Sequence, residues 1–350
     1  MSQKRVTIAD IAAKSGFSKT AVSFAFNKPD RVSAEARKKI LAVAAEEGYI
    51  PDPMARNFTL GNHMNVGFLL PQKVEYCLAN PYMHGIIRGI AEVCQSKGYM
   101  FTVIPPLRSS IDDAVRNATV DGIITMGLTV SESIGMILRQ RQMPVVAIDG
   151  ADNTDDVVSV NIDDTEAARL QMKMALDRGH RRIAVLSLQD DYYAADTPGE
   201  SLSIVRKRKL GFSRALEEYG MSFADIICIN AETTFDAGFS SAQGLLSGDA
   251  ESRPTCFVCM SDIAALGVMS AIREMGLEIP QDVSVIGFDG LLEDLSYYGR
   301  RLTTIRQSAY EKGIASARCL FSIMEGNPGD GEPVRIPFSI VEGSTLGDAP

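Results

Sequence analysis

The sequence predicts a small all-α head of the helix-turn-helix type followed by a larger α/β body of two lobes. Three observations carry this. The first 61 of 350 residues hold ten Lys and Arg against six Asp and Glu, a charge of +4, while the remainder carries −13. Three short helical patterns with capping residues fill residues 1 to 48. From Asn65 onward, runs rich in Val, Ile and Leu alternate with helical stretches, the signature of parallel sheets covered on both faces. The length allows two or three domains. A hydrophobic fraction of 45% and a charged fraction of 23% are ordinary for a globular chain. No apolar run approaches the ~20 residues of a membrane-spanning helix. The opening MSQKRVTIAD meets Asp10 before an apolar core can form, so it is no secretory signal and implies a cytoplasmic chain. Six scattered cysteines then read as reduced, buried thiols.

In the head, Thr7 stands before Ile8, Ile11 and Ala12, with Asp10 three residues on, close to a capping box. A first helix is expected from about Ile8 to Lys14. Ser15-Gly16-Phe17 breaks it, and Ser18 caps a second helix over Lys19 to Asn27 that buries Val22 and Ala25 or Phe26. Lys28 to Arg31 is a loop. Ser33 caps a third helix with Ala36, Ile40, Val43 and Ala44 on one face and Gly48 past its end. Two helices joined by a short Gly-containing turn form a helix-turn-helix, whose second helix opens against base edges in a major groove. Here Ser18, Lys19, Thr20, Ser23 and Phe24 occupy that place. A bundle that only packs is the alternative, but a basic head with short polar residues opening helix two suits DNA better.

The next segment carries Asp52-Pro53, a good N-cap and N1 pair, and stops at Gly61. A helix from Pro53 to about Leu60 is too short to stand alone in water, so it orders against a partner. Phe58 on it can wedge between base steps in a minor groove. The alternative is a soft linker whose Phe58 packs on the body.

The motifs V-T-I-x-D-I-A from Val6, G-x-S-x-x-x-V-S from Gly16, V-S-x-x-x-R from Val32 and G-Y-x-P from Gly48 together resemble the N-terminal domain of the LacI/GalR family of bacterial transcription regulators. The resemblance extends over nearly the whole chain. It implies a homodimer on a palindromic double-stranded operator, with hinge helices paired in the central minor groove. It implies base reading by Lys19, Thr20, Ser23 and Phe24. Phosphate contacts are expected from Thr7, Ser18, Asn27 and Ser33, and hinge contacts from Ala55 and Phe58. Two positions depart from the family pattern. Phe24 replaces the usual basic residue; it cannot form the forked contact of Arg to guanine but can touch a thymine methyl. Phe58 stands where the hinge wedge is usually Leu.

In the body, strands are expected at 65–71, 99–105, 121–127, 144–150, 181–188, 225–230, 255–261 and 282–290, with helices between, such as 81–97, 163–178 and 262–275. That exceeds one compact sheet, so two lobes are expected, with a ligand in the cleft beyond the C-terminal strand ends. The resemblance implies a type I periplasmic-binding-protein-like fold whose chain crosses between lobes near Ile162, Leu291 and Gly326. The domains then read as a head over 1–50, a hinge and linker over 51–64, and an effector and dimerisation domain over 65–350. Within the last, the N-lobe takes 65–161 and 292–325, and the C-lobe 163–290 and 327–342.

Asp149, Ser261-Asp262 and Asp289 follow strands, where each Asp is equally readable as a loop or helix cap. The family pattern implies effector contacts from Asn80, Tyr82, Asp149, Arg208, Ser261, Asp262 and Asp289. This set suits a polyhydroxylated ligand, a saccharide first, although a purine or another metabolite would use the same groups. With no Trp, a stacking platform falls to Tyr82 first, then Tyr192, Tyr193 or Phe235. No leucine heptad follows Thr345, which favours a dimer over a coiled-coil tetramer.

Enzyme chemistry has little support. The chain has no phosphate-binding loop, dinucleotide fingerprint or nucleophile elbow, and its three histidines lie far apart. Cys256-x-x-Cys259 lies in an apolar strand without a second pair, which reads as core thiols rather than a metal or redox site. No cofactor or metal is expected. A solute-binding protein for uptake is disfavoured by the basic head. The sequence thus predicts a transcription regulator, most simply a repressor, controlled by a small-molecule effector.

Overall fold

The computed structural model describes residues 6–51, 62–70, 72–108, 110–127, 132–151, 157–189, 203–291, 299–327 and 332–350. The chain divides into two compact units, Met1–Met64 and Asn65–Pro350.

In the head, helices α1 (Ile8–Ser15), α2 (Lys19–Asn27) and α3 (Ala34–Glu46) start where side chains cap them. Thr7 and Asp10 satisfy each other's backbone N–H groups at the start of α1, and Gly16 ends it at φ 77°, a conformation that suits glycine. Ser18 and Ser33 accept from the N–H groups of Ala21 and Ala36. The core is Ile11, Ala12, Val22, Ala25, Ile40 and Ala44, so the 3.6-residue pattern converges from all three helices. Between Val22 and Ala25 the register is decided: Ala25 is buried, while Phe26 lies half-buried against Tyr49 with ring centroids 5.6 Å apart.

The body contains two six-stranded sheets. The first is built from β1 (Asn65–Leu69), β2 (Met100–Ile104), β3 (Gly122–Met126), β4 (Val145–Ile148), β5 (Val158–Asn161) and β11 (Val334–Arg335), in the order β11-β5-β4-β3-β1-β2. The second is built from β6 (Ile183–Leu188), β7 (Ile227–Ala231), β8 (Cys256–Cys259), β9 (Ser284–Asp289), β10 (Thr303–Gln307) and β12 (Phe338–Val341), in the order β12-β10-β9-β8-β6-β7. Every pairing is parallel except β10 with β12.

Around the first sheet lie α4 (Val74–Ala79), α5 (Pro81–Ser96), α6 (Ile111–Asn117), α7 (Glu132–Gln140) and α12 (Ala309–Met324). Around the second lie α8 (Asp164–Asp177), α9 (Ser203–Glu218), α10 (Phe235–Leu246) and α11 (Asp262–Glu274). Strands β1, β3, β4, β8 and β9 are buried nearly throughout, as parallel strands between helical layers must be.

The expected lobe boundaries need correction. The expected N-lobe segment 292–325 contains β10, which pairs with β9 and β12 of the second sheet. The expected C-lobe segment 327–342 contains β11, which pairs with β5 of the first. The crossings therefore fall at Ile162, between β10 and α12, and between β11 and β12, rather than near Leu291 and Gly326. The cause is local: Thr303-Thr304-Ile305-Arg306-Gln307 lacks a Val/Leu run, and a two-residue strand has no periodicity to read.

Helix pairs on each sheet meet backbone to backbone through glycine. A Cβ on Gly89 of α5 would lie 2.4 Å from the Tyr310 carbonyl oxygen of α12, and one on Gly267 of α11 would lie 2.0 Å from that of Phe235 on α10. By contrast, Gly244 of α10 faces open space at an ordinary φ. Gly267→Ala is therefore expected to destabilise the effector unit by about 1–3 kcal/mol through overpacking. Gly244→Ala should stabilise it by about 0.5–1 kcal/mol through helix propensity. Urea titration of the two variants, followed by circular dichroism, checks this; equal effects would refute the packing argument.

Candidate functional site

On the head, Val22 and Ala25 take the buried face of α2, which leaves Ser18, Lys19 and Thr20 exposed and Ser23, Phe24 and Asn27 half-buried. Asn27 Nδ2 donates to Ser23 Oγ (3.4 Å), so these two act as one polar pair. Arg37 of α3 donates from Nε to the Ala25 carbonyl (3.2 Å), tying the C-terminal half of α2 in place. Thr7 and Ser33 are exposed at helix starts, where N–H groups and dipole favour an anion. Ala55 and Phe58 lie outside the described residues.

In the body, the C-terminal strand ends of both sheets converge on a cavity of about 140 Å³. One wall comes from Gln72, Tyr76, Cys77, Asn80, Tyr82 and Met83 around α4 and α5, with Met126 after β3 and Asp149 after β4. The other comes from Leu188, Gln189, Ile204, Arg208, Thr233, Met260, Ser261, Asp289 and Gln307. Contacts bridge the walls: the Thr233 N–H donates to Tyr76 Oη (2.8 Å), and Lys207 Nζ donates to the Gly150 carbonyl (3.3 Å).

Arg208, on α9, is 1% exposed. Its Nε donates to Asp164 Oδ1 (2.9 Å) and its Nη1 to the Met260 carbonyl (2.8 Å), and its guanidinium lies 3.6 Å from the centre of the Phe288 ring. On the other side, Lys312 of α12 is fully buried. Its Nζ donates to Asp149 Oδ1 and to Gln307 Oε1 (2.6 Å), and Gln307 Nε2 donates to Asp289 Oδ1 (2.8 Å). Asp149, Lys312, Gln307 and Asp289 thus form one buried chain from the end of β4 to the end of β9. Among the described residues that line the cavity, Arg208 Nη2, Asp149 Oδ2, Ser261 Oγ, Tyr82 Oη and Gln189 Oε1 are buried without a hydrogen-bond partner. Asp149 and Asp289 also hold positive φ, 56° and 127°, which costs a non-glycine residue energy and recurs at functional positions.

Burial pushes the Asp289 carboxyl up to about 7; Asp262 reinforces this, and Arg208 opposes it. Burial also raises Asp164 against the opposing pull of Arg208 and Lys312, and drives the Tyr82 hydroxyl well up.

Of the effector residues expected from sequence, the cavity gathers Asn80, Tyr82, Asp149, Arg208, Ser261 and Asp289. Asn80 caps α5, its Oδ1 accepting from the Tyr82 N–H (3.0 Å). Asp262 does not line the cavity. Its Oδ1 accepts from the Thr304 hydroxyl (2.6 Å) and its Oδ2 from the Leu291 N–H (2.7 Å), so it fastens β10 to its own sheet, with burial pushing it up to about 6. Phe235 does not line the cavity either; Tyr192 and Tyr193 lie outside the described residues. Cys256 and Cys259 are buried in β8, and burial raises both thiols well above the neutral range.

Sequence reasoning missed Tyr76, Gln307, Asp164 and Lys312. Lys312 was findable, since it shares a helical face with Ser316 and Leu320, where an exposed lysine would not sit.

Residues 7–52 match the family described as bacterial regulatory proteins, lacI family, and residues 172–346 match the periplasmic binding protein-like domain. An HTH-type transcriptional regulator of Mycobacterium tuberculosis is 31% identical over 99% of this chain and 98% of that protein. The HTH-type transcriptional repressor CytR of Escherichia coli is 28% identical over 97% and 96%. Among solved structures, the Lac repressor dimer bound to operator and an anti-inducer superposes with a TM-score of 0.78 at 26% identity, over 98% of this chain and 99% of that one.

The position of Asp289 makes stability pH-dependent. Its folded pKa of about 7 lies above its ordinary 3.8, so the folded state holds the proton more tightly. Its contribution is full below about pH 4 and is lost as pH rises toward 7. Asp289→Asn removes that loss. The variant should gain on the wild type by about 2–4 kcal/mol between pH 4.5 and pH 8, from three pKa units at 1.36 kcal/mol each. Urea unfolding at the two pH values measures the difference; parallel behaviour would place the Asp289 proton elsewhere.

Proposed function

The chain belongs to the lacI family of bacterial regulatory proteins, and on that premise we propose that two copies of its head read a palindromic operator while a small molecule in the cleft sets operator affinity. The family consists of DNA-binding transcription regulators, not enzymes. Repression is the favoured sign, and DNA binding places the protein in the cytoplasm. The organisation follows: a reading head over 1–50, a hinge over 51–64 and an effector and dimerisation unit over 65–350.

One observation carries this reading. The same chain joins a capped helix-turn-helix, with Lys19 and Thr20 exposed at the start of α2, to a cavity whose wall holds five buried polar atoms without protein partners. The first fits base edges, with Ser23 and Phe24 beside them and Thr7, Ser18, Asn27 and Ser33 toward phosphates. Phe24 offers only an apolar contact, which suits a thymine methyl. Ala55 and Phe58 contact the central minor groove, with Phe58 as the wedge. In the cleft, Asn80, Tyr82, Asp149, Arg208, Ser261 and Asp289 hold the effector, a sugar or related metabolite. Effector and operator then act on one equilibrium between lobe arrangements, so each changes the affinity of the other by the same factor.

The test starts from a duplex selected by the intact protein from random DNA, with binding followed by fluorescence anisotropy. Affinity should fall steeply and linearly in log–log form with salt, as several phosphate contacts require. Lys19→Ala should cost about 1–3 kcal/mol and relax the preference at one base pair per half-site. A flat salt dependence would remove the DNA role of the head.

Arg208→Ala should abolish the effect of the effector on operator affinity and leave effector-free operator binding intact. A variant that still responds would move the effector site away from Arg208.

A further inference from the structure

Beyond the location of the effector site, its charge is already settled by the protein. The two buried cations are spoken for. Arg208 gives Nε to Asp164 and Nη1 to the Met260 carbonyl, while Nη2 has no protein partner. A phosphate or carboxylate draws on the charge of a guanidinium as well as on its N–H groups, and here Asp164 already balances that charge. Lys312 gives its charge to Asp149. Among the described residues that line the cavity, an anionic ligand would therefore find no cation without a carboxylate partner, and it would lie against Asp149 and Asp289. A cationic ligand gains nothing from Asp149, whose charge Lys312 neutralises.

What remains available are donors and acceptors on Arg208, Asp149, Gln189, Ser261 and Tyr82, set among Met83, Met126 and Met260. Hydroxyl groups, which donate and accept at once, match that mixture, and a ring's C–H face matches the methionines. Size follows from volume. A buried water needs about 10–15 Å³ of such space, so about 140 Å³ holds on the order of ten ligand atoms. One substituted ring fits that space.

We propose that the buried ion pairs Arg208–Asp164 and Lys312–Asp149 restrict the effector to an uncharged, hydroxylated molecule of about one ring, with Asp164 and Lys312 setting this choice without touching it. The inference rests on the cleft being the effector site. The raised Asp289 carboxyl agrees with it, since partial protonation lowers the charge it adds to the cavity near neutral pH.

The experiment is isothermal titration of the intact protein with a matched panel. Aldopentoses, aldohexoses and inositols are set beside their phosphate monoesters, the uronates, the amino sugars and disaccharides. At least one uncharged single-ring compound should bind, and its charged counterparts should bind about 100-fold more weakly, the scale of an unpaired charge in a buried site. Asp164→Asn keeps an acceptor for Arg208 Nε but removes the neutralising charge, and it should bring the anionic counterpart within about tenfold of the uncharged one. Asp149→Asn, which leaves Lys312 unneutralised, should shift the ratio the same way and serves if the first variant does not fold. If neither folds, the wild-type ratio decides alone.

Three results overturn the proposal: equal affinity of wild type for a charged counterpart, no binding by any uncharged single-ring compound, or folded variants with the wild-type ratio. Parallel operator titrations keep the two readings apart. A charged compound that shifts operator affinity refutes the charge argument and leaves effector control standing. An uncharged ring that binds without changing operator affinity does the reverse.

Discussion

Burying a guanidinium and an ammonium beneath one cleft is the constraint around which the effector unit is arranged. Each cation loses its hydration, a penalty of several kcal/mol, and is tolerated only where a carboxylate and further acceptors surround it. The fold supplies these from parallel strand ends. Asp149 ends the β4 segment, Asp289 ends β9 and Gln307 ends β10, while Asp164 opens α8. Two of these carboxylates sit at positive φ. The backbone is thus bent to aim charge at Lys312 and the cavity, and the deep apolar strands behind hold it there.

Much of this was legible in sequence, and the failures share a cause. The head was readable almost residue by residue because its signals are local: a capping box at Thr7, serine caps at Ser18 and Ser33, and a glycine stop at Gly16. The long apolar strands were readable for the same reason. Strands β5, β10, β11 and β12 were not, because their identity lies in pairing partners far along the chain rather than in their own composition. Asp262 illustrates the limit within the site. Its position after a buried strand matches that of a ligand contact, yet Thr304 and the Leu291 N–H, both distant in sequence, take its two oxygens. Lys312 is the converse, a residue of a normally solvent-facing type that is the neutralising partner of a buried carboxylate.

The same packing determines where the unit can move. Helices α5 with α12, and α10 with α11, meet at distances that admit no Cβ, so each lobe resists internal shear. Between the lobes run three chain crossings, at Ile162, after Gln307 and at Ile336. Ile162 and Ile336 share a small apolar cluster with Ile305 and Phe288, and Arg335 Nη1 donates to the Ile162 carbonyl (2.9 Å), so two crossings are fastened to each other. Across the remaining one, Lys312 holds Gln307 from the far side. A ligand that engages Asp149 or Asp289 acts on a chain of polar contacts spanning that crossing, and it shifts the balance of lobe arrangements only by binding one more tightly than another. By the same rule a single cleft can serve induction or co-repression according to which arrangement its ligand prefers.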